Sequence, residues 1–224
     1  NSNNIKDLDK KALNLGMGGR NSPDDNEKKY RERMQKRKDI QLERISLRKG
    51  KKGLVIIYTG NGKGKTTAAL GLALRTLGHN QKVAIIQFIK GTWTTGEEKA
   101  LKAFAENISW HSLGEGFTWE TQDRIRDEKF VRKAWRLAEN YIKDETYKLV
   151  ILDEINIALK LGYLLPEEII NSIKKYKKKN NHIVLTGRNA PNSIIEFADL
   201  VSEINVIKHP FKEQGIKAQE CIEF

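Results

Sequence analysis

Residues 58–69 read Y-T-G-N-G-K-G-K-T-T-A-A, and the fold turns on how that stretch is read. The apolar run L-V-I-I-Y-T (54–59) precedes it, and an Ala- and Leu-rich segment from Thr66 to Leu77 follows. A glycine-rich turn between a strand and a helix is a phosphate-binding loop. Gly60, Gly62 and Gly64 let backbone N–H groups approach phosphate oxygens. Lys65 supplies a point charge, Thr66 a hydroxyl for Mg²⁺, and the helix N-terminus a partial positive charge. With Thr59, Asn61, Lys63 and Thr67 they make up the expected nucleotide site. The general pattern G-x-x-x-x-G-K-[ST] wants glycine at residue 59, where this chain has Thr59; Lys63 adds a second cation inside the loop.

Outward from the loop, strands and helices alternate. V-A-I-I-Q-F (83–88), a shorter run starting at I-S-W-H, L-V-I-L-D (149–153), H-I-V-L-T (182–186) and L-V-S-E-I (200–204) read as further strands. Between them, helices are predicted over 66–77, closed by Gly78, over 97–105 and over 122–143. Another opens at Pro166, where proline is tolerated in the first turn. Phe130, Val131, Trp135, Leu137 and Tyr141 are the apolar positions of the long 122–143 helix. The pattern predicts an α/β fold: an open, mostly parallel sheet with helices on both faces, of the P-loop NTPase (RecA-like) type. A flexible N-terminal arm precedes it.

A chain of 224 residues has room for one sizeable domain and an appendage. Its net charge of +12 invites a nucleic-acid reading. The distribution weakens it: residues 1–52 hold 16 Lys/Arg against 8 Asp/Glu, and residues 53–224 hold 25 against 21. The excess sits mostly in the arm. The K-K-Y-K-K-K cluster at Lys174–Lys179 falls at a helix end, where lysines complement the dipole and stay solvated. Residues 1–25 read as a disordered tail and 26–50 as a basic arm. Tyr30, Met34, Ile40, Leu42, Ile45 and Leu47 are scattered through the arm, which fits a helix ordered by a partner surface. Residues 51–224 form the main domain. No run reaches the roughly 18 apolar residues of a membrane helix. No apolar signal segment is visible, and the single cysteine, Cys221, points to a reducing cytoplasm.

Three further segments carry chemistry. L-V-I-L-D-E puts Asp153 and Glu154 at the C-terminal end of a buried strand, where ligands sit in open α/β sheets; an acid there reaches Mg²⁺. A hydrolase would use Glu154 to orient water, so the pair leaves the reaction open. T-G-R ends a later strand, and Arg188 there can face the phosphates. Arg75, on the first helix, and Lys90, after the second strand, are weaker candidates. In G-E-G-F-T-W-E (114–120), Phe117 and Trp119 share one side if extended. They form either a flat wall for a large planar ligand or a loop anchor. His79, His111, His182 and His209 lack metal-ligand spacing and read as surface or loop histidines. No Cys–His or Ser–His pairing marks a nucleophile.

These motifs together resemble the P-loop type of cob(I)alamin (corrinoid) adenosyltransferase. The matching segments are Y-T-G-N-G-K-G-K-T-T-A-A, V-A-I-I-Q-F-I-K-G-T-W, G-F-T-W-E-T-Q-D, L-V-I-L-D-E-I-N, I-V-L-T-G-R-N-A-P, A-D-L-V-S-E-I and K-H-P-F followed by G-I-K-A-Q. They run in order from about residue 50 to the end. Thr59 is ordinary for that family. Cys221 is not: the family has glycine there. The resemblance implies transfer of the 5′-deoxyadenosyl group of ATP to the Co(I) of a reduced cobalamin or precursor, with release of triphosphate. Cobalt is then the nucleophile, which agrees with the absence of one in the sequence. It implies catalytic roles for Lys65, Glu154 and Arg188, and ATP held by residues 59–67 with Arg75 and Arg188, in the reversed direction along the loop. Thr66, Asp153 and Glu154 would hold Mg²⁺ or Mn²⁺. Phe117 and Trp119, with Trp93, would pack on the corrin and displace its lower axial ligand, which makes Co(II) easier to reduce. An electron-donating flavoprotein and a homodimer, with the arm capping a partner's active site, are further implications; nucleic acid and membrane are not. A RecA-like ATPase explains the loop and the acids, but leaves Phe117 and Trp119 without a purpose.

Overall fold

The computed structural model describes residues 23–48, 50–89, 95–112 and 123–223. They belong to two units that divide between Lys51 and Lys52. Among the described residues the first contains one helix, α1 (Pro23–Ser46). It starts earlier than the expected boundary at residue 25. Arg31 pairs with Glu27 at 2.5 Å and Gln35 bonds Asp39 at 2.8 Å, both four residues apart on one helix face. Tyr30, Leu42 and Ile45 are exposed.

In the second unit the apolar runs lie side by side. Strands β1 (Val55–Thr59), β2 (Lys82–Gln87), β3 (Ile108–Ser112), β4 (Tyr147–Asp153), β5 (His182–Thr186) and β6 (Leu200–Glu203) form one sheet. Its order is β3-β2-β4-β5-β1-β6, and every pairing is parallel. Helices α2 (Lys65–Gly78), α3 (Gly96–Leu101), α4 (Arg124–Lys143), α5 (Ile155–Lys160), α6 (Pro166–Tyr176), α7 (Asn192–Phe197) and α8 (Pro210–Gln214) complete the order.

The strands show no polar alternation because both sheet faces are covered. Ile56, Val83, Ile85, Leu149, Ile151 and Val184 pack with Ala69, Leu70, Ala73 and Leu77 of α2 and Leu101 of α3. Their chain neighbours Ile57, Ala84, Ile86, Val150, Leu152 and Leu185 point the other way. They meet Val131, Trp135 and Ile142 of α4, Ile155 of α5, Ile169 of α6 and Ile194 of α7. Strand β5 lies between β1, which leads into the phosphate loop, and β4, which ends in Asp153. Parallel strands share one C-terminal edge, so the loop, the acids and the T-G-R turn come together there.

Several boundaries differ from expectation for local reasons. Helix α4 begins at Arg124 because the Asp123 carboxylate caps it, accepting from the Arg126 N–H at 3.1 Å. Its buried positions are Val131, Ala134, Trp135, Ala138 and Ile142, so small alanines take contacts expected of Phe130 and Leu137. The helix expected over 97–105 stops at Leu101 and continues as a 3₁₀ turn to Phe104. After Gly78 it is Asn80 that takes the left-handed conformation, with φ 53°. Two histidines are structural, contrary to the surface reading. His182 Nδ1 accepts from the Leu54 N–H at 3.1 Å, and His111 Nε2 pairs with the Tyr141 hydroxyl at 2.6 Å. Burial holds both imidazoles below their usual pKa. No helix among the described residues is long and apolar enough to cross a membrane.

Ile151 is fully buried in the middle of the sheet, whereas Ile125 is 83% exposed. Ile151→Ala should lower the unfolding free energy by about 3 kcal/mol. Ile125→Ala should change it by less than ~0.5 kcal/mol. Denaturant titration of both variants against the parent checks this.

Candidate active site

Strand β1 delivers Thr59 to the loop, and α2 departs from Lys65. Between them the chain packs tightly on the segment after β6. The Ile204 N–H donates to the Thr59 carbonyl at 2.9 Å, and the Gly62 N–H donates to the Ile204 carbonyl at 2.6 Å. Gly60 has φ 94°, and a Cβ there would stand 2.4 Å from the Ile204 oxygen. Close packing therefore demands this glycine, and one N–H expected for phosphate, that of Gly62, is committed to Ile204. Helix α2 begins after Gly64 with no side-chain cap, so its first N–H groups are available to an anion.

Lys65 is 6% exposed, and its ammonium donates to the Gly62 carbonyl at 2.5 Å. Burial lowers its pKa; Glu154 opposes that, while Arg188 and Lys63 add to it. Asp153, also buried, accepts from Thr66 Oγ1 at 2.9 Å, Thr186 Oγ1 at 2.7 Å and Gln87 Nε2 at 3.1 Å. Gln87 Oε1 in turn accepts from Trp110 Nε1 at 3.1 Å and Ser112 Oγ at 2.7 Å. Gln87, Thr186, Trp110 and Ser112 were not singled out from sequence. The available signal was a polar residue closing an apolar strand run, as Gln87 closes β2 and Thr186 closes β5.

Glu154 follows with φ 59°, a left-handed residue capping α5. Its N–H donates to Thr186 Oγ1 at 2.9 Å. Burial, and then the neighbouring Asp153, push its carboxyl up to about 7, against the pull of Lys65 and Arg188. The charge of Arg188 is felt by both Lys65 and Glu154, so the fold brings all three together. It does not bring Arg75, which is exposed in the last turn of α2, about 15 Å of helix beyond Lys65. Lys63 pairs with Glu223, and Asn61 and Thr67 are exposed. Cys221, where the resemblance expects glycine, carries φ 69°, a conformation glycine adopts more readily. Lys90, Trp93, Phe117 and Trp119 lie outside the described residues.

Among the described residues no cluster of three or more His, Cys, Asp or Glu side chains could hold a metal. The Thr66–Asp153 pair fits a different mode. Mg²⁺ keeps waters and takes few protein ligands when phosphates supply the rest.

A phosphate loop with a buried lysine and a carboxylate two strands away define a P-loop nucleotide-binding protein. Within that class the chain belongs to the ATP:corrinoid adenosyltransferase family. Residues 51–224 match the family described as ATP:corrinoid adenosyltransferase BtuR/CobO/CobP. Residues 21–45 match the cob(I)alamin adenosyltransferase N-terminal family. The corrinoid adenosyltransferase of Pseudomonas aeruginosa is 44% identical, covering 91% of this chain and all of the relative. That of Sinorhizobium sp is also 44% identical, covering 93% and 97%. That of Escherichia coli K12 is 37% identical, covering 88% and 99%. Both the fold class and the family expected from the motifs are borne out.

The raised Glu154 carboxyl has a consequence for stability. Its pKa rises from 4.5 to about 7 on folding, so its contribution is most favourable below 4.5 and is lost as pH rises through 7. Glu154→Gln should therefore stabilise the nucleotide-free protein by about 2–3 kcal/mol at pH 8. The gain should vanish near pH 4.5. Denaturant titrations in EDTA across that range measure it.

Proposed function

We propose that the chain transfers the 5′-deoxyadenosyl group of ATP to the Co(I) centre of a reduced corrinoid. The Co(I) electron pair forms the bond to C5′, the C5′–O5′ bond breaks, and its electron pair leaves on triphosphate. Family membership over residues 51–224 carries this reading. The geometry supports it: Lys65 and Arg188 set positive charge around the half-buried Glu154 at the edge where the loop lies. The reaction needs no protein nucleophile, only in-line placement and stabilisation of charge on the leaving group.

In this reading Lys65, Arg188 and the N-terminus of α2 bind the triphosphate, with ATP reversed along the loop so that C5′ is exposed. Thr66 and Asp153, with Glu154 beside them, would hold Mg²⁺ or Mn²⁺, which would supply positive charge for the phosphate oxygens. The carboxylate of Asp153 is already oriented by its three donors. Phe117 and Trp119, with Trp93, receive the corrin. Strand β3, which precedes the aromatic pair in sequence, ends at the same sheet edge as the loop.

A homodimer is the proposed assembly, with α1 as the capping arm. Exposed apolar side chains on and after the edge strand β6 support it: Leu200, Val201, Ile207 and Phe211. A reducing cytoplasm and a flavoprotein electron donor suit a reaction that consumes Co(I).

An anaerobic assay with ATP, Mg²⁺ and chemically reduced cobalamin tests the reading. The Co(I) absorbance should decay with release of intact triphosphate. Lys65→Ala should cut kcat/KM by about 100-fold or more. ADP and phosphate beside an untouched corrinoid would overturn it in favour of an ATPase.

A further inference from the structure

The turn after β5, T-G-R-N-A (186–190), carries Arg188. It bends through two left-handed residues, Gly187 at φ 125° and Asn189 at φ 56°. A chain that changes direction twice in three residues has many alternatives unless its backbone groups are tied. Here three hydrogen bonds tie it. The Gly187 N–H donates to the Tyr58 carbonyl at 3.2 Å. The Gly187 carbonyl accepts from Asn156 Nδ2 at 3.0 Å. The Ala190 N–H donates to Thr59 Oγ1 at 3.2 Å.

The packing is as specific as the bonds. A Cβ at residue 187 would stand 3.0 Å from Asn156 Cβ and 3.1 Å from Glu154 Oε2. Asn156 is fully buried, and Thr59 is 6% exposed. Both anchors belong to elements that build the site: Thr59 ends β1, and Asn156 lies two residues after Glu154 on α5. Strands β1 and β5 are hydrogen-bonded neighbours, so the phosphate loop and the arginine turn emerge side by side. Residue 59 is the loop position within reach of Ala190, and the glycine of the general loop pattern would offer no hydroxyl there.

Building on the assignment of Arg188 to the triphosphate, we propose that Thr59 and Asn156 are positioning residues that hold the arginine turn. Thr59 acts through Arg188 rather than on phosphate. The departure from the general loop pattern at residue 59 is thereby explained: the hydroxyl couples the phosphate loop to a cation on the turn that follows the neighbouring strand β5.

Calorimetric binding of inorganic tripolyphosphate and kcat/KM for ATP, measured on five variants, test this. Thr59→Val keeps the side-chain shape and leaves the Ala190 N–H without an acceptor. It should weaken both quantities about tenfold, the size expected from losing roughly 1.4 kcal/mol. Thr59→Ser restores the acceptor and should recover most of the loss. Arg188→Ala should cost roughly 30-fold, as expected for charge-assisted hydrogen bonds. The Thr59→Val/Arg188→Ala double variant should be no worse than Arg188→Ala alone. If the two losses multiply, Thr59 acts independently of the arginine and the positioning role is overturned. A wild-type Thr59→Val overturns it too, as does a Thr59→Ser that fails to recover. If Arg188→Ala binds tripolyphosphate and turns over like the parent, the assignment of Arg188 itself is wrong. That outcome is separate from the others. Asn156→Ala should follow Thr59→Val in the same cycle.

Discussion

The carboxylate of Asp153 fixes the candidate site. Buried at the end of the central strand β4, it accepts from Thr66 on α2, Thr186 on β5 and Gln87 on β2. A buried carboxylate is costly unless its lone pairs are satisfied. Satisfying them locks the first turn of the phosphate-loop helix to the two strands on either side of β4. Gln87 passes the constraint on to Trp110 and Ser112 on the edge strand. The whole C-terminal edge thus becomes one hydrogen-bonded layer above an apolar core. A site that must hold a triphosphate in a set direction needs such a rigid rim.

Charge is arranged around that rim in a deliberate imbalance. Lys65 loses solvation in the loop, and Glu154 loses it at the start of α5, so each shifts toward its neutral form. Each also relieves the other, and the charge of Arg188 acts on both. A bound polyanion with its cation changes the balance, because it supplies the negative charge that Lys65, Arg188 and the helix N-terminus favour. Electrostatic preorganisation of this kind requires no rearrangement at the moment of reaction. It suits a transfer in which the metal of the substrate is the nucleophile and the protein handles the leaving group.

The loop departs from the general phosphate-loop pattern in ways that share a cause. Gly60 and Gly62 meet Ile204 at close range, the Gly62 N–H is given to that residue, and Thr59 reaches to the arginine turn. The loop is braced on both sides by the strands next to β1. Bracing fixes the backbone before nucleotide arrives, which lowers the ordering cost of binding.

The sequence by itself determined the fold class, the phosphate loop and the family, and it offered Asp153, Glu154 and Arg188 as candidates for the site. These follow from local chemistry: unbroken apolar runs mean strands buried on both faces, and glycines before a lysine mean a phosphate cradle. Short elements such as α5 and α7, of six residues each, were illegible because they hold less than two turns of periodicity. Arg75 looked plausible in one dimension, and the axial rise of α2 carries it away. Only the tertiary structure decided that Gln87, Thr186 and Asn156 join the candidate site and that burial raises the Glu154 carboxyl. Strand order sets those facts, since residues distant in the chain become neighbours only when β5 is inserted between β1 and β4.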